Sequence, residues 1–249
     1  MVAASAPGKC ILFGEHAVVY GEPAVAVAID ARVSVALEPC QGSWKLGGAP
    51  LDERHPHARF LHSQLVGDDT EPHAMVVTSE LFPAAGLGSS AALSAAISAA
   101  LMHRDGDGSG ELDLERISHL AHMAEAEAQS GRASPTDTST ATLGGCVLVS
   151  DKREESAEWC WRRTLDTPEG ERRWEIHSVS LPESVREAHL VVGSTGIHSP
   201  TGEMVAKIAR MLERLPDRMD EIARMGDLSR AGASALASGE LAEVGRLMD

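Results

Sequence analysis

Long apolar runs are missing from this sequence of 249 residues. A membrane-spanning helix needs about eighteen or more consecutive apolar residues, and no stretch reaches that length. The first residues also lack the basic and then apolar pattern of a signal peptide. We therefore expect no membrane partner and predict a soluble, cytoplasmic protein. Its hydrophobic content of 43% is enough for one large or two small domains.

Paired cysteines are missing as well. The four cysteines are Cys10, Cys40, Cys146 and Cys160, and they do not show the spacing of zinc ligands. Cys10 and Cys146 lie in apolar runs, where a buried free thiol is the usual state. The sequence therefore predicts neither disulfide bonds nor a zinc site.

Basic residues are scarce, with 22 Lys and Arg against 37 Asp and Glu and a formal net charge of −15. Nucleic acids are bound by clustered basic side chains, so a nucleic-acid partner is excluded. The acidic excess is typical of a solvated surface or of adaptation to salt. Only four residues are lysines: Lys9, Lys45, Lys152 and Lys207. Lys9 stands out because it lies within a glycine-flanked motif.

A glycine-rich turn leads into an alanine-rich segment at Pro83-Ala84-Ala85-Gly86-Leu87-Gly88-Ser89-Ser90-Ala91-Ala92. Glycines let an anion approach the backbone, and a helix that begins near Ser89 offers unpaired N–H groups, so the turn predicts a phosphate site. It lacks the Gly-Lys-Ser/Thr ending of a Walker A loop, so a lysine must come from elsewhere. Ser89 and Ser90 could serve phosphate or magnesium. The alternative is an ordinary turn with serine caps.

Apolar periodicity and turn residues predict the secondary structure. Pro7-Gly8 and 21–23 are expected to divide residues 3–37 into short strands. Residues 38–72 are expected to be a peripheral insertion containing one short helix, and 151–173 a charged, two-stranded excursion at the surface. The other predicted strands are 33–37, 75–79, 144–149 and 189–193, and the predicted helices are 58–66, 89–102, 114–129, 201–215, 217–238 and 241 onward.

Three motifs resemble those of one family. Ala6-Pro7-Gly8-Lys9-Cys10-Ile11-Leu12-Phe13-Gly14-Glu15-His16-Ala17-Val18-Val19-Tyr20-Gly21 is similar to the opening motif of mevalonate kinases, members of the GHMP kinase superfamily. The glycine-rich turn resembles the phosphate loop of that superfamily. Ala133-Ser134-Pro135-Thr136-Asp137-Thr138, followed by Gly144-Gly145, is similar to the segment that carries the catalytic aspartate, especially in archaeal-type members.

The resemblance implies an α+β, two-domain GHMP kinase fold. Residues 1–182 would form a ribosomal-protein-S5-like N-terminal domain, and 183–249 a ferredoxin-like C-terminal domain. The third glycine-rich motif of the superfamily is not found, so we expect a truncated C-terminal domain. A homodimer is a further possibility that the sequence leaves open.

The same resemblance implies roles for individual residues. Asp137 would be the catalytic base, and Lys9 would stabilise charge on the reacting oxygens. Glu15, His16 and Thr195 would contact mevalonate. ATP would be bound by Pro83, Ala85, Gly86, Leu87, Gly88, Ser89, Ser90 and Ala91. Taken singly, Asp137 could be a helix N-cap, Lys9 a solvent-facing turn residue and His16 a structural histidine.

Magnesium would be held by Ser90 and by one glutamate of the second helix, because Mg²⁺ prefers oxygen ligands. Counting from Ala121-His122 selects Glu125. Counting back from Gly131 leaves one residue too many, as though Ser130 were inserted, and Glu127 is then the alternative. Two residues apart on a helix, the two glutamates point to different faces, so only one can be the ligand.

The implied function is ATP-dependent phosphorylation of the primary hydroxyl of mevalonate to give 5-phosphomevalonate, with ATP and Mg²⁺ as cofactors. One alternative is phosphomevalonate kinase or another small-molecule GHMP kinase. An alternative of another class is a non-catalytic sensor that only binds nucleotide and ligand. The presence of both Lys9 and Asp137 argues against the sensor.

Overall fold

The computed structural model describes residues 2–67, 69–82, 85–104, 110–168, 170–193 and 201–249, the last range with side chains from 207 onward. Within these ranges the strands are β1 (Val2–Phe13), β2 (Ala24–Pro39), β3 (Lys45–Leu46), β4 (Ala49–Pro50), β5 (His73–Ser79), β6 (Cys146–Ser150), β7 (Glu158–Thr167) and β8 (Gly170–Val179). The α-helices are α1 (Pro56–Leu65), α2 (Ser89–Met102), α3 (Leu114–Ala128), α4 (Thr136–Leu143), α5 (Glu183–Arg186), α6 (Thr201–Arg214), α7 (Met219–Ser238) and α8 (Leu241–Met248).

The contacts divide the chain into two compact units. Unit 1 comprises Met1–Cys10, Ala28–Gly144 and Arg163–Arg173, and unit 2 comprises Ile11–Val27, Gly145–Arg162 and Trp174–Asp249. These units are not the two domains expected from the sequence, whose boundary at residue 182 stays a prediction.

Unit 1 combines an edge of β-sheet with four helices. Its strand order is β4-β3-β5-β2; β3 is parallel to β5, and the other two pairings are antiparallel. The helix α2 packs against α1, α3 and α4. Nearly every α2 residue from Ala91 to Leu101 is buried, and most of these residues are alanine or serine. Small side chains on every face let three helices approach α2 closely.

The segment 38–72 is not the peripheral insertion that the sequence predicted. It supplies β3, β4 and α1, and Trp44, Leu46 and Leu61 lie in the core of unit 1. Leu61 is fully buried. The prediction was wrong because the core residues of this segment are spread over three short elements, none of which is long enough to show a clear period.

The expected break at Pro7-Gly8 is also wrong, since β1 runs through it. Proline has a φ that an extended strand accepts. The glycine serves close packing rather than a turn: a Cβ at position 8 would lie 2.9 Å from the carbonyl oxygen of Leu87. The break at 21–23 is confirmed, because β2 starts at Ala24.

Unit 2 contains a second antiparallel arrangement, in which residues 24–27 of β2 pair with β6 and β6 pairs with β8. β7 follows β8 in the strand order. The two strands predicted in 151–173 exist, but they are not a surface excursion, because β8 joins β6 and Trp161 and Trp174 are buried. The helices α7 and α8 pack on one another, and the core includes Phe13, Val25, Leu148, Ala233 and Leu236.

The predicted strand at 189–193 is not formed. The backbone there has no strand assignment, and Val191 is 92% exposed. Hydrophobic character predicts burial, but a strand also needs a neighbour with which to pair, and the sequence does not reveal whether one is present. The remaining predicted helices are confirmed within two residues at each end.

Among the described residues, no helix is both long and apolar enough to cross a membrane. All four cysteines are free thiols, and burial raises the pKa of Cys146 to about 12.

A buried histidine joins α3 to the segment before α4. His122 is fully buried, and its Nε2 lies 2.9 Å from the carbonyl oxygen of Ala133. Burial lowers the pKa of His122 to about 4, although the contact with Ala133 opposes this change. The folded protein therefore keeps this imidazole neutral under conditions in which the unfolded chain protonates it.

We predict that His122 makes the protein less stable as the pH falls. Between pH 6.5 and pH 4 the unfolded chain takes up a proton at this histidine that the folded chain does not. The free energy of unfolding therefore falls by about 2 kcal/mol between pH 7 and pH 5. His122→Asn should therefore reduce the pH dependence by about that amount in urea unfolding. His189→Asn, at an exposed position, is the control. The prediction would be contradicted if the free energy of unfolding changed with pH in the same way for His122→Asn and the wild type.

The glycine at position 232 of α7 is required by packing. A Cβ there would overlap the buried ring of Phe13, with Cδ2 at only 2.6 Å. Gly232→Ala should destabilise the protein by about 1–3 kcal/mol, as overpacking does. Gly245→Ala on α8 is the matched control: its Cβ would meet nothing within 4 Å, and alanine favours a helix by about 1 kcal/mol. The midpoint temperature of thermal unfolding should fall for Gly232→Ala and rise for Gly245→Ala.

Candidate active site

The described part of the glycine-rich turn begins at Ala85; Pro83 lies outside the described residues. Gly86 and Gly88 have φ of 72° and 69°, in the left-handed region that favours glycine. The N-cap of α2 is Gly88, and no side chain caps the helix. The alternative of a serine-capped turn is therefore wrong. Ser89 and Ser90 are exposed at the first turn of α2, where free N–H groups favour an anion.

Lys9 lies against this turn. Its backbone N–H donates to the carbonyl of Leu87 at 2.9 Å. The aliphatic part of its side chain passes over Gly88, where a Cβ would lie 2.8 Å from Lys9 Cγ. Only 7% of the side chain is exposed, so the alternative of a solvent-facing lysine is wrong. Gly88 thus has two reasons to be glycine: its backbone angle and the space taken by Lys9.

Asp137 forms an ion pair with the ammonium group of Lys9. The distance from Lys9 Nζ to Asp137 Oδ1 is 3.1 Å, and 39% of the Asp137 side chain is exposed. Asp137 is the second residue of α4, whose N-cap is Pro135, so the N-cap alternative is wrong. A carboxylate in the first turn of a helix is favoured by the helix dipole. The pair therefore combines a buried cation with an aspartate that solvent can still reach.

Glu125 and Glu127 occupy different surroundings on α3. Glu125 is 6% exposed and interacts with the Ser90 hydroxyl. Glu127 is exposed and lines a cavity of about 710 Å³ together with Trp44, Phe60 and His62. Of the two candidates, Glu125 is the one that the fold brings to the start of α2, although its role as a metal ligand stays a prediction.

The residue that the sequence suggested as an insertion, Ser130, lies just beyond the end of α3. Ser130 has φ 55°, and the N–H of Gly131 donates to the carbonyl of Ala126 at 2.7 Å. This is a left-handed helix ending of the kind that usually uses glycine. Because α3 is continuous up to Ala128, an insertion at Ser130 would not rotate Glu125.

The carboxylate of Glu125 has a mixed environment. Burial alone would raise its pKa, but interactions with His57, Ser90 and Gln129 outweigh burial and hold the pKa below its usual value. Gln129 Nε2 donates to Oε2 at 2.8 Å, whereas Oε1 is buried without a well-formed hydrogen bond among the described residues. The Ser90 hydroxyl and an ionised carboxylate, whose Oε1 has only a longer contact with His57 Nε2 at 3.4 Å, form a donor set that fits Mg²⁺. This ion commonly takes one or two carboxylates plus phosphate oxygens.

The residues expected to contact substrate are only partly described. Glu15 is exposed and His16 is half-buried, both in unit 2 at the turn after β1. His16 has φ 68°, an uncommon angle for a residue other than glycine. Thr195 lies outside the described residues. Substrate contacts by these three residues stay predictions.

Sequence reasoning missed His57 and Gln129, which both contact Glu125. His57 Nε2 lies 3.4 Å from Glu125 Oε1. Gln129 follows Glu125 by four residues on α3, a spacing that puts two side chains on one helix face and could have revealed it. His57 belongs to the segment assigned to a peripheral insertion, and nothing in the local sequence indicates its long-range contact.

Comparison with known proteins places this geometry in a family. The model of the GHMP kinases N terminal domain matches residues 58–145. The crystal structure of L. major mevalonate kinase in complex with R-mevalonate superposes with a TM-score of 0.72 at 20% identity, over 100% of this chain and 73% of that one. The Methanococcus jannaschii mevalonate kinase gives 0.63 at 20% identity, over 99% and 75%. The α+β GHMP kinase fold is thereby confirmed.

Other mevalonate kinases share a higher sequence identity with this chain than the proteins of these two crystal structures do. The mevalonate kinase of Archaeoglobus fulgidus is 35% identical over 245 residues, which cover 96% of this chain and 74% of that protein. The mevalonate kinase of Methanothermobacter thermautotrophicus is 34% identical over 230 residues, which cover 88% of this chain and 65% of that protein. With the phosphate turn, Lys9 and Asp137 assembled in one unit and identity of this extent over nearly the whole sequence, the chain belongs to the mevalonate kinase family.

Proposed function

We propose that this chain transfers the γ-phosphoryl group of ATP to the primary hydroxyl of mevalonate, giving 5-phosphomevalonate and ADP. The observation that carries the proposal is the 3.1 Å pair of Lys9 and Asp137 beside the glycine-rich turn. Phosphoryl transfer requires positioning and charge neutralisation more than covalent chemistry by the protein, and this pair supplies a base and a cation. The mevalonate kinase relatives support mevalonate as acceptor.

The proposed chemistry assigns one step to each partner of the pair. Asp137 accepts the hydroxyl proton while the hydroxyl oxygen forms a bond to the γ-phosphorus, and the bond from that phosphorus to the bridging oxygen of ADP breaks. Lys9 stabilises the negative charge that develops on the transferred group. Its buried position strengthens this effect, because water screens a buried charge less.

Ser90 and Glu125 would hold Mg²⁺, which would neutralise charge on the phosphate oxygens when bound. Glu15, His16 and Thr195 are proposed to contact mevalonate. Support for His16 comes from its positive φ, because strained residues cluster at functional sites. A cytoplasmic location and a homodimer stay predictions from the sequence.

The test is ADP release by the 249-residue chain with ATP, Mg²⁺ and mevalonate, beside reactions with phosphomevalonate, galactose or homoserine. We expect turnover with mevalonate alone. Asp137→Asn should lower kcat by about 10²–10⁴-fold while nucleotide binding is retained, because the base is lost and the turn is not. Lys9→Met should also lower kcat, whereas Lys45→Met, at a lysine on β3, is the matched control.

Two outcomes would contradict the proposal. Turnover with another acceptor and none with mevalonate would assign the chain to a different small-molecule kinase. Nucleotide binding that is unaffected by Asp137→Asn, with no turnover by the wild type, would favour the sensor.

A second prediction concerns the space under Lys9. Gly88→Ala would drive a Cβ into the Lys9 side chain, whereas Gly86→Ala has similar backbone strain but meets nothing within 4 Å. We expect Gly88→Ala to lower kcat by about 10–100-fold, because small displacements of catalytic groups are costly, and Gly86→Ala to lower it less. Relative to Lys9→Ala, the combined variant Lys9→Ala/Gly88→Ala should lose no more than Gly86→Ala loses relative to the wild type, because only the backbone strain remains. Additive losses would show that Gly88 does not act through Lys9.

A further inference from the structure

The carboxylate of Glu125 is held by two side chains that lie outside all three sequence motifs. Gln129, one turn further along α3, donates to Oε2 at 2.8 Å. His57, the second residue of α1, places Nε2 at 3.4 Å from Oε1. The two partners therefore approach different oxygens of the same group from different helices.

Two such contacts fix more than the position of a carboxylate. The last torsion of a glutamate side chain has a broad, two-fold energy profile, so the side chain alone does not set the plane of its oxygens. Gln129 and His57 on opposite oxygens remove that freedom. Because Glu125 is only 6% exposed, water cannot easily replace a lost partner.

The result of this arrangement is a carboxylate directed at the start of α2. Gln129 occupies Oε2, and the longer contact with His57 leaves Oε1 without a well-formed hydrogen bond among the described residues. Ser90 interacts with the same carboxylate. Oε2 is thus held by a hydrogen bond, and Oε1, in longer contact with His57, keeps its capacity to accept a further partner beside a serine hydroxyl.

We propose that His57 and Gln129 are positioning residues that orient Glu125 toward Ser90 and thereby set the affinity for a divalent cation. This inference rests on the proposed function, in which Ser90 and Glu125 hold Mg²⁺. Neither residue touches the reacting atoms; both act through Glu125. Residues that orient metal ligands in this way typically change metal affinity by about 10–100-fold when they are replaced.

The experiment measures Mn²⁺ binding to the full chain by electron paramagnetic resonance in the presence of ADP. His57→Ala and Gln129→Ala should each weaken Mn²⁺ binding by about 10-fold or more. His57→Gln should restore affinity, because the amide nitrogen of glutamine can occupy the position of the histidine Nε2. In parallel turnover assays, the Mg²⁺ concentration for half-maximal rate should rise for the alanine variants, while kcat at saturating Mg²⁺ stays within about 2-fold.

Matched controls separate positioning from loss of stability. His62→Ala removes a histidine of α1 that packs against Trp44 and should leave Mn²⁺ affinity unchanged even if the thermal midpoint falls. Glu127→Gln removes a charge from α3 on its exposed side and should also leave Mn²⁺ affinity unchanged. Glu125→Gln should weaken Mn²⁺ binding at least as much as His57→Ala.

Two results would overturn the inference. Unchanged Mn²⁺ affinity in His57→Ala and Gln129→Ala, with weakened binding in Glu125→Gln, would remove the positioning role and leave the proposed function intact. Unchanged affinity in Glu125→Gln would remove Glu125 from the metal site altogether. Turnover of mevalonate by the wild-type preparation, measured in the same series, reports separately on the proposed function.

Discussion

A buried ammonium group constrains the whole site in unit 1. Lys9 lies within β1 with 7% of its side chain exposed, and a buried cation is costly unless a carboxylate accompanies it. Asp137 must therefore be brought to within ion-pair distance, which fixes where α4 begins. The aliphatic part of the Lys9 side chain needs space, which requires glycine at position 88, and Gly88 is in turn the N-cap of α2. One electrostatic requirement thus links a strand, a turn and two helices that are distant in sequence.

The helix α2 connects this ion pair to the other residues of the proposed site in unit 1. Its N-terminus carries the turn, and its alanine and serine faces accept α1, α3 and α4. Each of these three neighbours carries one side chain of the proposed site: His57 on α1, Glu125 on α3 and Asp137 on α4. Because interiors are closely packed, a larger residue on any face of α2 would displace one of these helices and the group that it carries.

Much of this arrangement could be predicted from the sequence. The bounds of α2 follow from an apolar helix next to a glycine turn, and Lys9 stood out because lysines are few. Some predictions from the sequence were wrong. The segment with His57 looked peripheral because its core residues are divided among short elements, and 189–193 looked like a strand because hydrophobicity does not reveal whether a pairing partner is present. Contacts across long sequence distances, such as His57 with Glu125, leave no local pattern to detect.

The left-handed ending at Ser130 has a consequence for changes in the length of the chain. A residue added at that point changes only the loop after α3, since the helix before it keeps its hydrogen bonds and α4 starts anew at Thr136. The turn lies between α3, which carries Glu125, and α4, which carries Asp137, so a change of length there need not alter either helix. Insertions and deletions between these helices can therefore accumulate at this one place, and sequence alignments should open their gap there and not within the helix.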